Sequence, residues 1–332
     1  MRIVVAHSQL HAFGGGERCT LELLRRLSSR HDVELWAGGY APDATYDELR
    51  RFPRREVRPA EWLSAVPEAD AVIAHTFGAY LLAPRHPRVV SYVHTLRSRY
   101  LSGGTRPDLL ARRALDRVAL RRSAVLATNS EYTAARVSRR YQRPCHVVPP
   151  GADDALFALP PRVGCYALYV GRLAPEKGVE RLIRWTSRLP LDLRIAGDGD
   201  PRYVAYLRAL AGPRVRFLGP VTGASLLDAY ADCRFLMFLP HDEEFGMAAL
   251  EAMAAAKPVI ATAEGALPAL IRHGESGILV RTQAECEAAV TRLLGDEAFC
   301  LRLGQQGREA AHNYHWDRYV EQIERLCVAL DA

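Results

Sequence analysis

Short apolar, β-rich runs alternate with amphipathic helical patterns from end to end of the chain, which is what parallel sheets covered by helices on both faces require. In the first half the pattern predicts strands over 2–7, 32–37, 71–75, 89–94, 125–128 and 146–148, with helices over 16–30, 107–122 and 131–141. Pro149, Pro150 and Gly151 then interrupt regular structure and predict a linker over 149–162. The same rhythm restarts beyond it, with strands over 167–170, 193–196, 215–218, 235–239, 258–261 and 277–280, and helices over 178–189, 203–211, 224–232 and 245–256. The expected fold class is α/β: two doubly wound, Rossmann-like domains, 1–155 and 156–315, facing each other across a cleft. Ligands of such sheets sit beyond the carboxyl ends of the strands, so the loops after the strands are where chemistry is sought.

The composition narrows the class. A chain of 332 residues with 49% hydrophobic and 25% charged residues can bury a core and is not a disordered polymer. No apolar run reaches the roughly 18 residues of a bilayer span, and no cleavable signal pattern precedes the first strand, so the expected location is cytoplasmic. The seven cysteines are scattered without a CxxC pair, which argues against a disulfide framework or a zinc site. The formal charge of +6 admits an acidic partner without choosing among nucleic acid, anionic membrane and phosphorylated substrate. All but two of the 44 basic residues are arginine; the exceptions are Lys177 and Lys257. A retained lysine in so arginine-rich a chain suggests a need for a compact ammonium.

Three loops carry candidate chemistry. Gly14, Gly15 and Gly16 lie between the first strand and the first helix, where bare backbone amides can approach a phosphate or a sugar; the spacing is not GxGxxG. Arg172 and Lys177 stand five apart in the loop opening the second domain, a spacing that lets both converge on one diphosphate. The third loop, His241 to Glu244, leads into a predicted helix that is apolar on every side except at Glu251. Such an embedded carboxylate needs hydroxyls or a cation, and two ribose hydroxyls would serve. Glu243 precedes that helix, where the amides of Phe245, Gly246 and Met247 can also hold a phosphate. Asp198-Gly-Asp200 has the form of a DxD metal motif but follows a strand of a nucleotide-binding domain, so no metal is expected there.

Together the Glu243–Glu251 pair, the Arg172–Lys177 loop and the N-terminal Gly-Gly-Gly-Glu resemble retaining glycosyltransferase family 4. Supporting stretches at Ala127–Glu131, Val147–Asp154, Ala196–Gly199 and Val215–Gly219 extend the resemblance along the chain. The resemblance implies the GT-B fold, an acceptor-binding N-terminal domain, a nucleotide-sugar-binding C-terminal domain and a last helix, 316–332, crossing back to the first. It further implies that Glu251 holds ribose hydroxyls and Glu243 the donor sugar, with Arg172 and Lys177 on the diphosphate. Gly15, Gly16, Gly197, Leu218, Phe245, Gly246 and Met247 complete the donor site, and His94 contacts the transferred sugar. Two departures stand out. The family's Gly-Gly-x-x-Glu is here Glu264-Gly265-Ala-Leu-Pro-Ala269, and Tyr92–Leu101 only partly matches the YxHTPxRY stretch of a mannosyltransferase-rich subgroup.

The implied reaction is retaining, metal-independent hexosyl transfer from GDP-mannose or a UDP-sugar to a glycan, lipid-linked or small-molecule acceptor, with no cofactor. A nucleotide-sugar epimerase on the same scaffold is the competing enzyme. A basic nucleic-acid-binding protein is the competing non-enzyme, although no nucleic-acid module is recognisable and no nucleic-acid partner is expected. The arginine-rich helix over 107–122 adds an anionic membrane surface as a candidate partner.

Overall fold

A computed structural model describes residues 1–96 and 106–330. The chain divides into two compact units, Met1–Pro150 together with the segment from Trp316 onward, and Gly151–His315.

The first unit is built on a parallel sheet of seven strands: β1 (Arg2–His7), β2 (Asp32–Ala37), β3 (Arg54–Glu56), β4 (Ala71–Ala74), β5 (Val89–Val93), β6 (Val125–Thr128) and β7 (His146–Val147). Their spatial order is β3-β2-β1-β4-β5-β6-β7, so the winding reverses between β1 and β4. Strands β1, β4 and β5 are buried along nearly their whole length, which is why they read as continuous apolar runs rather than as alternation. Helices α1 (Gly15–Leu27), α2 (Phe77–Tyr80), α3 (Arg106–Arg122) and α4 (Glu131–Tyr141) connect them. Ser130 caps α4 by accepting a hydrogen bond from the Thr133 amide, and Gln142 ends that helix in the left-handed conformation.

The second unit carries six parallel strands: β8 (Tyr166–Val170), β9 (Leu193–Ala196), β10 (Val215–Gly219), β11 (Cys233–Phe238), β12 (Val259–Thr262) and β13 (Ile278–Val280), in the order β10-β9-β8-β11-β12-β13. Here the winding reverses between β8 and β11. Its helices are α5 (Asp154–Phe157), α6 (Val179–Thr186), α7 (Pro201–Leu210), α8 (Gly223–Asp232), α9 (Met247–Ala254), α10 (Leu267–Leu270), α11 (Gln283–Gly295) and α12 (Glu297–Ala311). The last helix, α13 (Trp316–Val328), groups with the first unit, where it buries Trp316, Tyr319, Val320, Ile323 and Cys327. Two parallel doubly wound sheets are the α/β fold that the alternating pattern predicts.

Several boundaries differ from the sequence reading. The division falls after Pro150 rather than after 155, because α5 occupies part of the expected linker and its Leu156 joins the second unit's core. The helix expected over 178–189 starts one residue later and ends at Thr186. Gly178 has φ +68°, and a Cβ placed on it would lie 1.8 Å from the Leu239 carbonyl oxygen, so the helix begins only beyond a residue that must be glycine. The helix expected over 245–256 is Met247–Ala254, because Gly246 takes φ +99° and Ala256 φ +53°.

Lys257, the second of the two lysines, is fully buried. Its Nζ donates to the carbonyls of Arg162 and Ala231 at 2.8 and 2.7 Å, so it ties the start of the second unit to the end of α8. Burial pushes its pKa down.

Candidate active site

The candidate donor-binding residues of the second unit gather where its sheet reverses. Lys177 follows β8 and Glu243 follows β11, the neighbouring strand across the reversal, and Lys177 Nζ donates to Glu243 Oε2 at 2.8 Å. Backbone contacts build this meeting. Gly178 lies against the Leu239 carbonyl, and the His241 amide donates to the Glu176 carbonyl at 2.8 Å. On the far side, the Ala266 amide donates to the Glu243 carbonyl at 2.7 Å. A Cβ on Gly265, at φ +63°, would sit 2.1 Å from that same oxygen. The truncated Glu264-Gly265 turn therefore seats Glu243 even though it lacks the family's second glycine and final glutamate.

Arg181 was not singled out by sequence, yet it organises this corner. Its guanidinium donates to the carbonyls of Leu239, at 3.1 and 2.9 Å, and Pro240, at 2.6 Å, and to Glu264 at 2.9 Å. The only available signal was its place one helical turn beyond Lys177. Arg172 does not join Lys177 in the way the spacing suggested. Its Nη2 pairs with Glu176 of the same loop at 3.0 Å, both side chains being about half exposed, while Lys177 turns to Glu243.

Glu251 stands one turn into α9. It is half-buried rather than embedded, and Tyr230 of α8 donates to its Oε2 at 2.7 Å. Burial, with Glu251 beside it, raises the Tyr230 pKa well above the ordinary phenol value, which keeps the hydroxyl a donor. Phe245 and Gly246 are buried ahead of α9 and Met247 is its first residue. The leading amides of this eight-residue helix lack intrahelical partners.

Three glycines end three adjacent strands beside this corner. Gly171, Gly197 and Gly219 follow or close β8, β9 and β10 with φ +150°, +139° and +75°. A Cβ on Gly197 would lie 1.9 Å from the Gly171 carbonyl, and the Gly197 amide donates to the Gly219 carbonyl at 2.7 Å. They form a ledge without side chains, next to Leu218, which is exposed. The aspartates of Asp198-Gly-Asp200 have local work: Asp198 accepts from the Gly199 amide at 2.8 Å, and Asp200 caps α7 through the Arg202 and Tyr203 amides.

In the first unit, three neighbouring strands end in histidine. His7 closes β1, while His75 and His94 follow β4 and β5. Sequence analysis singled out His94 alone; the other two become visible only once the strand order makes them neighbours. His75 Nδ1 and His94 Nε2 lie 2.8 Å apart. Burial depresses all three: His7 to about 3, His94 to about 4 and His75 well below its ordinary value. Gly16, in the first turn of α1, faces this cluster, since a Cβ on it would be 3.5 Å from His7 Nε2 and 3.6 Å from His94 Nε2. Gly15 opens the same helix after its cap, Gly14. Of the mannosyltransferase-like stretch, residues 97–101 lie outside the described residues.

Comparison with known proteins gives the family. The model of Glycosyltransferase Family 4 matches residues 13–156, and that of Glycosyl transferases group 1 matches residues 164–310. The chain belongs to glycosyltransferase family 4. Two relatives of this family 4 chain are the D-inositol 3-phosphate glycosyltransferases of Corynebacterium efficiens and Salinispora tropica. The first is 29% identical over 72% of this chain and 65% of its own length. The second is 27% identical over 91% and 72%. The chain thus spans about two thirds of the length of the relatives it matches. Among solved structures, Anabaena HepE in complex with UDP and glucose superimposes with a TM-score of 0.81 at 20% identity, covering 98% of both chains. The sucrose-phosphate synthase of Thermosynechococcus elongatus gives 0.80 at 20% identity, covering 99% of both. The fold is GT-B.

Proposed function

We propose that this protein transfers a hexose from a nucleotide diphosphate sugar to an acceptor hydroxyl with retention of anomeric configuration and without a divalent metal. The observation that carries this reading is the Lys177–Glu243 pair at the reversal point of the second sheet, with Glu251 one turn into the following helix. In it, Glu251, held from behind by the buried Tyr230 hydroxyl, receives the ribose, Lys177 meets the diphosphate, Arg172 joins it by exchanging Glu176 for phosphate, and the leading amides of α9 add partial positive charge. The glycine ledge, with Gly197 at its centre and Leu218 beside it, leaves room for the nucleoside. Glu243 orients sugar hydroxyls. As a carboxylate already joined to an ammonium it is poorly suited to attack carbon, so a front-face transfer is the consistent mechanism. The C1–phosphate oxygen bond breaks, the acceptor oxygen bonds C1 on the same face, and the acceptor proton passes to the leaving phosphate oxygen.

A UDP-sugar is the favoured donor, supported by the UDP complex of HepE; GDP-mannose is the alternative. The relatives' name adds a phosphorylated polyol to the glycan and lipid-linked acceptors to be screened. A thermal-shift panel of UDP, GDP and their sugars tests the donor, since a ligand at 100 times its Kd stabilises by roughly 2.7 kcal/mol. Stabilisation by neither nucleotide refutes the reading. Activity that chelator abolishes and magnesium restores refutes metal independence, and an inverted anomeric signal refutes retention. Epimerised donor in place of transfer would point to the epimerase.

A specific observation favours a membrane surface as partner. Helix α3 is anchored inward by Asp116, which accepts a hydrogen bond from the Tyr141 hydroxyl at 2.6 Å. Outward it exposes Leu110, Leu115 and Val118, at 66%, 40% and 52%, among Arg113, Arg117 and Arg121. Apolar side chains standing between cations suit the headgroup region of anionic lipid. Flotation with anionic but not neutral vesicles is expected, and equal behaviour with both ends the idea. Among the described residues no helix is long and apolar enough to cross a membrane.

A further inference from the structure

The family resemblance places His94 against the transferred sugar but says nothing of the side chain behind it. His75 is 1% exposed, and its ring is held on both faces. The His7 ring stacks on it with centroids 6.2 Å apart at 29°, and the Tyr92 ring at 5.5 Å and 25°. The backbone beneath is fixed as well: the Tyr80 hydroxyl reaches the carbonyls of both His75, at 3.0 Å, and Tyr92, at 2.8 Å. The His75 amide donates to the Ala6 carbonyl at 3.0 Å. A ring clamped in this way has one polar outlet, Nδ1, and it meets His94 Nε2 at 2.8 Å. His75 Nε2 is buried without a partner.

One proton must lie between the two facing nitrogens, because burial keeps both rings neutral. If His94 Nε2 donated it, His75 would carry its own proton on Nε2, leaving a buried N–H with no acceptor. Orphaned buried N–H groups are rarer than under-used acceptors, and each costs about 1–3 kcal/mol. If instead His75 Nδ1 donates, the only vacancy is a lone pair, and the proton of His94 sits on Nδ1. That nitrogen has no partner among the described residues, and His94 is only partly buried. The Asn129 side-chain amide, donating to the His94 carbonyl at 3.1 Å, holds the main chain while the ring presents this edge.

We propose that His75 is a positioning residue for transfer: its Nδ1–H locks His94 in the tautomer and ring orientation that presents an Nδ1–H donor to a hydroxyl of the transferred sugar. This rests on the reading that His94 touches that sugar. His75 itself touches no substrate and moves no proton during the reaction. Its role is the one outer partners play for ligating histidines, where their loss costs roughly ten- to a hundredfold in activity or affinity.

The test starts with the wild-type protein. Long-range proton–nitrogen correlation spectra of the ¹⁵N-labelled chain, with His94 assigned by loss of its signals in His94→Gln, report which ring nitrogen is protonated. A protonated Nδ1 and a bare Nε2 on His94 are expected; a protonated Nε2 overturns the proposal without any variant of His75. His75→Leu should shift His94 toward the Nε2–H form and lower kcat roughly ten- to a hundredfold with the donor selected by the thermal-shift panel, while nucleotide affinity is unchanged. His75→Asn, whose amide nitrogen lies near the Nδ1 position, should recover most of that loss. Unaltered kcat in a folded His75→Leu protein, or failure of His75→Asn to recover it, overturns the positioning role. His94→Ala separates the two readings. Full activity in that variant removes the sugar contact and this inference with it. Lost activity beside an unaffected His75→Leu removes this inference alone.

Discussion

Replacing Lys177 with methionine keeps most of the apolar stem of the side chain but removes the ammonium. The ion pair it breaks is only partly solvated, with Lys177 24% and Glu243 11% exposed. Breaking a fully buried pair costs about 3–5 kcal/mol and an exposed one about 0–1 kcal/mol, so an intermediate loss of about 2 kcal/mol is expected. In a unit of this size that is a fall of roughly 4–8 °C in its Tm. The effect on turnover should be larger: an ammonium aimed at a developing diphosphate charge contributes on the order of 10²–10³ in rate. Because Glu243 is the partner, Lys177→Met combined with Glu243→Gln should recover much of the stability, with a coupling of about 1–2 kcal/mol, and none of the activity. Calorimetry and initial rates at saturating donor measure both. Strictly additive stabilities would show that the 2.8 Å contact has no energetic weight. A drop in kcat of less than about threefold would refute a role for Lys177 in stabilising the leaving group.

Gly178→Ala places a methyl 1.8 Å from the Leu239 carbonyl at a φ of +68°, so it should destabilise the second unit by about 3 kcal/mol or more in urea titrations; a loss under 1 kcal/mol would contradict the geometry. Stability of the first unit should fall on acidification below the ordinary histidine range. His7, His75 and His94 have depressed pKa values in the folded state, so below about pH 6.5 the unfolded chain takes up protons that the folded chain refuses. The contribution is fully present above that pH and is lost as pH falls toward the folded values of about 3 and 4 for His7 and His94. Urea midpoints equal or higher at pH 5.5 than at pH 7 would refute it.

The strands were legible in the sequence because those buried on both faces leave nearly unbroken apolar runs: β1 and β6 have the predicted limits. Helix ends were less so. They depend on left-handed residues such as Gly178 and Gly246, whose necessity lies in a carbonyl or side chain far along the chain, Leu239 for one and Leu267 for the other. Helices α11 and α12 drew no expectation, their polar and apolar residues being mixed more evenly. Within the site, the Glu243–Glu251 spacing was readable because it is local. The partner of Lys177 was not, because Glu176 stood closer in sequence to both cations and only the loop's path assigns it to Arg172. The histidine cluster was beyond reach for the same reason, since His7, His75 and His94 become neighbours only through the order β1-β4-β5.

The membership of α13 in the first unit constrains the order in which the protein can be made. During synthesis, residues 1–150 emerge with the seat for this helix empty, and the chain must produce the whole of 151–315 before Trp316 appears. At roughly 5–20 residues per second this leaves an interval on the order of ten to thirty seconds. Through that interval the surface that will receive Trp316, Tyr319, Val320 and Ile323 faces water, and Arg26 and Arg30 await Asp317 and Glu324. The second unit has no such debt and can close as soon as it clears the ribosome. The amino-terminal half, although translated first, is the one finished last, and a nascent chain stalled before residue 316 leaves that half without its closing helix.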